Sequence, residues 1–177
     1  GEAALEAGGQ DADIIWIVDM QHDPAISMYP HDSAYGSILI DGNLLYVNSG
    51  NGVDNTHKVI RKPDAPSLVV FDKRTGRLVA KDQEGMGPNT IHGTWSSPSL
   101  GEVKGARRVF FGGGNGVCYA FAALDPAAPE QPTQTLQRVW RFDGDPTGPK
   151  DNVHEYLNNR EISPSNIKGM PVFHEGR

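Results

Sequence analysis

The chain has 177 residues, and its 16 basic against 22 acidic side chains leave a net charge of −6. The basic residues are scattered, which argues against a nucleic-acid backbone as partner, and no run approaches the ~18 apolar residues needed to span a bilayer. A single cysteine, Cys118, excludes an internal disulfide and any multi-thiolate metal site, and its apolar neighbours Val117, Tyr119, Ala120 and Phe121 mark it as a small buried hydrophobe.

Glycine (21) and proline (13) are plentiful, while Val, Ile, Tyr, Phe and Trp come in short clusters without a helical period. That pattern predicts an all-β chain. Residues 1–13 carry no basic start and no apolar segment, so no targeting signal is visible. The first strand-like run is Asp13-Ile14-Ile15-Trp16-Ile17-Val18-Asp19, and after it two segments match one another.

The first segment contains Tyr35-Gly36-Ser37-Ile38-Leu39-Ile40, Leu44-Leu45-Tyr46-Val47, Gly50-Asn51-Gly52, Ser67-Leu68-Val69-Val70-Phe71-Asp72 and Gly76-Arg77-Leu78-Val79. The second contains Trp95-Ser96-Ser97-Pro98-Ser99-Leu100, Arg108-Val109-Phe110-Phe111, Gly114-Asn115-Gly116, Val117 to Phe121 and Leu136-Gln137-Arg138-Val139-Trp140. Four β-type runs divided by turn residues are the content of one four-stranded propeller blade. Polar, proline-bearing insertions lengthen both copies, at 53–66 in the first and 125–135 in the second. Asn and Gly reach positive φ at little cost, so the two Gly-Asn-Gly sequences suit chain reversal between strands. The glycine run 112–116 is not a phosphate loop, because no Lys-Ser/Thr pair follows it.

The expected architecture is therefore a partial β-propeller of four-stranded antiparallel blades in an incomplete ring. Its parts are the last strand of a preceding blade at 13–20, blades at 33–82 and 95–143, and the start of another at 162–177. Such a piece leaves strand edges open, so the chain is expected to be a fragment of a larger protein.

Val70-Phe71-Asp72-Lys73-Arg74-Thr75-Gly76-Arg77 resembles the Ala-x-Asp-x-x-Thr-Gly-Lys signature of the quinoprotein-like propellers, the pyrroloquinoline-quinone (PQQ) repeat proteins. The Ser96-Ser97-Pro98 start, followed by strand, turn and Gly-Asn-Gly, is similar to the opening of their blades. In the turn, Asp72 can accept backbone hydrogen bonds, Thr75 can reinforce them and Gly76 supplies positive φ. The family docks a tryptophan between blades soon after the signature; that position holds Trp16 and Trp140 here, but Ala80 in the first full copy.

The resemblance implies an extracytoplasmic, periplasmic or secreted protein. It also implies one of two functions: a non-catalytic scaffold that binds a protein partner or small ligand at the propeller face, or part of a PQQ- and calcium-dependent alcohol or sugar dehydrogenase. The remaining blades of a parent chain are the implied structural partner, and a sensor module is a third possibility. A dehydrogenase needs oxygens converging on calcium and an aspartate base, and no such residues can be assigned in the sequence. His31, His92 and His154 each precede a blade start and are the candidate channel-mouth residues, for a ligand or a metal or as caps of their loops. Asp23, Asp32, Asp54 and Glu155 are the acidic candidates near them. Asp143-Gly144-Asp145-Pro146-Thr147-Gly148 reads as a polar turn rather than a calcium loop, because it lacks the full ligand series. Trp16, Trp95 and Trp140 read as packing residues rather than a carbohydrate platform.

Overall fold

The computed structural model describes residues 14–31, 36–51, 53–127, 132–159 and 161–176. Asp13, Asp32, the blade start at 33–35, Gly52 and Arg177 lie outside these. The described chain is all-β, with nine strands in two sheets and only two short 3₁₀ turns, Gly87–Asn89 and Val153–Tyr156. Among the described residues the two sheets close no ring, and no helix is long and apolar enough to cross a membrane.

The first sheet contains β1 (Leu39–Asp41), β2 (Leu44–Asn48), β3 (Leu68–Asp72) and β4 (Leu78–Lys81) as an antiparallel meander. The second contains β5 (Ser99–Val103), β6 (Ala106–Gly112), β7 (Val117–Ala122) and β9 (Arg138–Asp143), also antiparallel. β8 (Gln134–Thr135) comes from the 125–135 insertion and pairs in parallel with β4, so the second segment lends a strand to the first sheet. The final strand begins at Arg138, and Leu136, expected inside it, is instead a buried core side chain. Residues 14–18 carry no strand, nor does 161–174; ladder partners for them are not among the described residues.

The central strands explain themselves. β3 is Leu-Val-Val-Phe-Asp, buried along its whole length, as expected of a strand covered on both faces. β1 and β9 are edges, and β9 keeps Val139, Trp140 and Phe142 exposed.

Both sheets share one ladder. Across the first, Leu39 opposes Tyr46, Tyr46 opposes Val70 and Val70 opposes Ala80. Across the second, Ser99 opposes Phe110, Phe110 opposes Ala120 and Ala120 opposes Trp140. The register slips directly after Val70 and again directly after Ala120. A bulge bends its strand and sharpens the local twist, so the two sheets curve at matching places.

The sheets pack front to back. Leu44, Tyr46, Leu68, Val70 and Ala80 of the first meet Val109, Phe111, Tyr119 and Phe121 of the second in one buried cluster. Phe110 stands opposite Ala120 as Tyr46 stands opposite Val70, yet it points the other way from the shared core. It stacks on Phe173 at 5.5 Å between ring centroids. The reverse face of the first sheet, Leu45, Val69 and Phe71, is covered by Ile26 and Met28 with Trp16, Val18 and Met20. The side of the second sheet turned from the first is crossed by the chain after β9, with Phe173 over Gly101 and Ile167 over Gly112. A side chain at either glycine would collide with those rings and methyls.

Polar ties also join the two sheets. Arg107 pairs with Asp41, Arg138 Nη1 lies 2.5 Å from Glu84 Oε2, and the Tyr46 hydroxyl accepts the Leu124 N–H at 3.1 Å.

Candidate functional site

An antiparallel meander puts the entry to its first strand, its second connection and the exit from its last strand at one end. In this molecule that end collects the 53–66 insertion, the β4–β5 connection, the β6–β7 turn and the chain after β9. Backbone contacts link these loops: Val53 N donates to His92 O at 3.3 Å, tying the insertion to the β4–β5 connection, and Ile167 N to Gly113 O at 3.2 Å, tying the chain after β9 to the β6–β7 turn.

A layer of buried polar side chains fastens these loops. Asn48 Nδ2 donates to Thr94 O at 2.8 Å, Asn51 Nδ2 to Ala65 O and Ser67 Oγ at 3.1 Å each, and Ser49 Oγ to Pro66 O. Asp82 accepts the backbone N–H groups of Ser67, Leu68 and Glu84. Burial pushes its carboxyl pKa upward, against the pull of those donors. In the second sheet Asn115 Nδ2 reaches the Tyr119 hydroxyl at 2.8 Å, and Gly116 takes φ +78° to close the turn. The first Gly-Asn-Gly differs: it opens into the 53–66 insertion, and Asn51 bridges in parallel to Tyr29.

Asp54 organises that insertion. Its carboxylate accepts from the Thr56 amide and hydroxyl and from Arg61 Nε and Nη2, the last at 2.7 Å. The Thr56 hydroxyl, with Arg61 beside it, holds the Asp54 carboxyl below the usual carboxylate range. The turn carries His57 into the left-handed region, φ +57°, with its N–H donating to Asp54 O.

That turn sets the His57 ring between two other imidazoles. His57 Nδ1 lies 2.9 Å from His92 Nδ1, with the rings near perpendicular at 4.8 Å. His31 meets His57 edge-on at 5.5 Å. His92 stacks on Trp95 at 5.8 Å and 20°, and the Lys168 ammonium stands 4.9 Å from the Trp95 ring centroid. The result is a row of three histidines, an indole and a cation.

Of the sequence candidates, His31 and His92 are brought together, joined by His57. His154 sits apart, in the 3₁₀ turn Val153–Tyr156, with its Nδ1 buried and without a hydrogen-bond partner among the described residues. Asp54 is structural. Asp23 accepts the Ala25 N–H at 2.8 Å within its own turn, and Glu155 lies in the same 3₁₀ turn as His154. His57 and Lys168 were not legible as site residues, because neither has a counterpart in the other segment.

The described residues do not fit the calcium centre that the resemblance implies. Among the described carboxylates of this end, Asp143 is engaged by Lys150 and Asp145 by Ser165, Thr147 and Gly148. No group of three or more His, Cys, Asp or Glu among the described residues is placed to hold a metal ion. Nor is Trp95 an open platform, since His92 and Lys168 already engage its ring. Cys118 is half-buried, and burial pushes its thiol pKa upward, away from reactivity. No protein-family model and no curated protein matches this chain.

Proposed function

We propose that the two sheets are adjacent blades of a quinoprotein-like β-propeller that acts as a binding scaffold, its recognition surface being the loop end around His92, Trp95 and Lys168. The front-to-back stacking carries this reading. Two sheets with one ladder, one bulge position and the front of the first on the back of the second follow the relation between neighbouring propeller blades. A sandwich of two independent sheets has no reason to repeat its register. The turn Asp72 to Gly76 adds support: Asp72 Oδ1 accepts the Arg74 N–H at 2.8 Å, Asp72 O accepts the Gly76 N–H, and Gly76 takes φ +71°. Trp16 rests on that glycine and donates to Lys73 O at 2.9 Å, as a tryptophan docking between blades would.

Binding is favoured because four of the described loop-end carboxylates, Asp54, Asp82, Asp143 and Asp145, are engaged in holding loops. An extracytoplasmic location follows from the resemblance alone. Dye-linked turnover with added PQQ and calcium, on primary alcohols and aldoses, tests the scaffold. No dye reduction above background is expected, and turnover would overturn the scaffold in favour of the dehydrogenase.

A further inference from the structure

A hollow of about 360 Å³ opens at the loop end between the β4–β5 connection and the chain after β9. Its polar wall consists of His92, Asn158, Asn159, Ser163, Asn166 and Lys168. No carboxylate lines it among the described residues, in a chain of net charge −6. Other surface hollows differ: one is lined by Asp19 and Asp23, a second by Asp64, a third by Glu84 and Asp143.

The walls are fixed before any ligand arrives. Asn166 Nδ2 donates to Gly93 O at 2.9 Å, Ile167 N to Gly113 O, and Ser96 Oγ to Gly169 O at 2.9 Å, so the segment carrying Lys168 is pinned on both sides. The Lys168 ammonium is further steadied by the Trp95 ring, itself stacked on His92. Pre-set cations and amides give affinity without an ordering cost at binding. Asn166 contributes a second signal. With its nitrogen committed to Gly93, its Oδ1 is buried and has no hydrogen-bond partner among the described residues, and such an acceptor calls for a donor.

We propose that this hollow binds a small hydroxy carboxylate, of the sugar-acid or hydroxy-acid class, its carboxylate on Lys168 and a hydroxyl toward Asn166. A volume of this order accommodates a ligand of that size. The proposal names the ligand class of the binding face proposed above and rests on that face being a recognition surface, but not on the number of blades.

Sodium gluconate titrated into the full chain tests it, by calorimetry and by tryptophan emission. Saturable binding is expected, with an emission change that disappears in Trp95→Phe. Lys168→Met is exposed at the rim and should weaken binding about tenfold or more, whereas Lys62→Met should leave it unchanged. Circular dichroism and a denaturation midpoint confirm that each variant is folded. Neutral glucose should bind about tenfold or more weakly than gluconate, and so should inorganic phosphate. The proposal is overturned by the absence of saturable gluconate binding, by an unchanged affinity in Lys168→Met, by glucose matching gluconate, or by phosphate matching it, which would mark a bare cationic patch. Any of these leaves the dye-reduction outcome standing, so the two readings fail separately.

Discussion

His57 Nδ1 and His92 Nδ1 face each other at 2.9 Å across two loops that are 35 residues apart in sequence. Two imidazole nitrogens at that distance share one proton, one ring donating and the other accepting. The contact ties the 53–66 insertion to the β4–β5 connection. His57→Ala should raise amide exchange in 53–66 ahead of exchange in β2 and β3, after correction for intrinsic rates. Equal protection of the insertion in both proteins would show that the histidine contact does not hold it.

Asp54 holds the same insertion from inside. Its pKa is lowered by Thr56 and Arg61, so its contribution is complete above the ordinary carboxylate value and fades as pH falls through the lowered one. Asp54→Asn should loosen residues 53–66 at neutral pH, with exchange about tenfold faster there and little change in the second sheet. Uniform destabilisation of both sheets would argue against so local a role.

Asp82 titrates with the opposite sign. Burial raises its pKa, so its stabilising contribution is fullest below the ordinary carboxylate value and is lost as pH climbs through the raised one. The stability of Asp82→Asn relative to the parent should therefore improve between pH 4 and pH 7. A flat difference in denaturation midpoints over that range would contradict the raised value.

The sheet interface predicts a clear ranking. Phe111 is fully buried between the sheets, and Phe111→Ala should cost about 3–5 kcal/mol in urea unfolding. Tyr46→Phe keeps the ring but leaves the Leu124 N–H without its acceptor, a loss of about 1–2 kcal/mol. Burial also pushes the Tyr46 phenol up to about 12. Its share of stability is complete below the ordinary tyrosine value near 10 and is lost as pH rises toward 12. Burial raises the Tyr119 phenol as well, so spectrophotometric titration should show two tyrosines ionising late, or only with unfolding, and one of the two should be lost in Tyr46→Phe.

Much of the sheet content was legible in the sequence because β-strands advertise themselves locally. Leu68 to Phe71 is an unbroken apolar run before a turn signal, and the turn from Asp72 to Gly76 is closed locally, Asp72 O accepting from the Thr75 and Gly76 N–H groups and Asp72 Oδ1 from that of Arg74. What escaped reading depends on distant partners. Gln134 and Thr135 are polar and resemble any loop, yet they pair with β4 because the insertion folds back on the first sheet. His31 and His92 stand out by position before a blade start, whereas His57 belongs to an insertion without a counterpart. Its approach to His92 follows from the Asp54 turn, a matter of backbone geometry rather than pattern. Lys168 likewise gains meaning only where the chain after β9 passes Trp95.

The relation between Tyr46 and Phe110 tests the front-to-back stacking most directly. They occupy the same rung of their ladders, yet Tyr46 faces the shared core and Phe110 faces Phe173. Nuclear Overhauser contacts of the two rings in a labelled sample decide the matter. Contacts are expected from Tyr46 to Leu124 and from Phe110 to Phe173, with none between Tyr46 and Phe110. A direct Tyr46–Phe110 contact would mean that the sheets meet front to front, and the blade reading would fail.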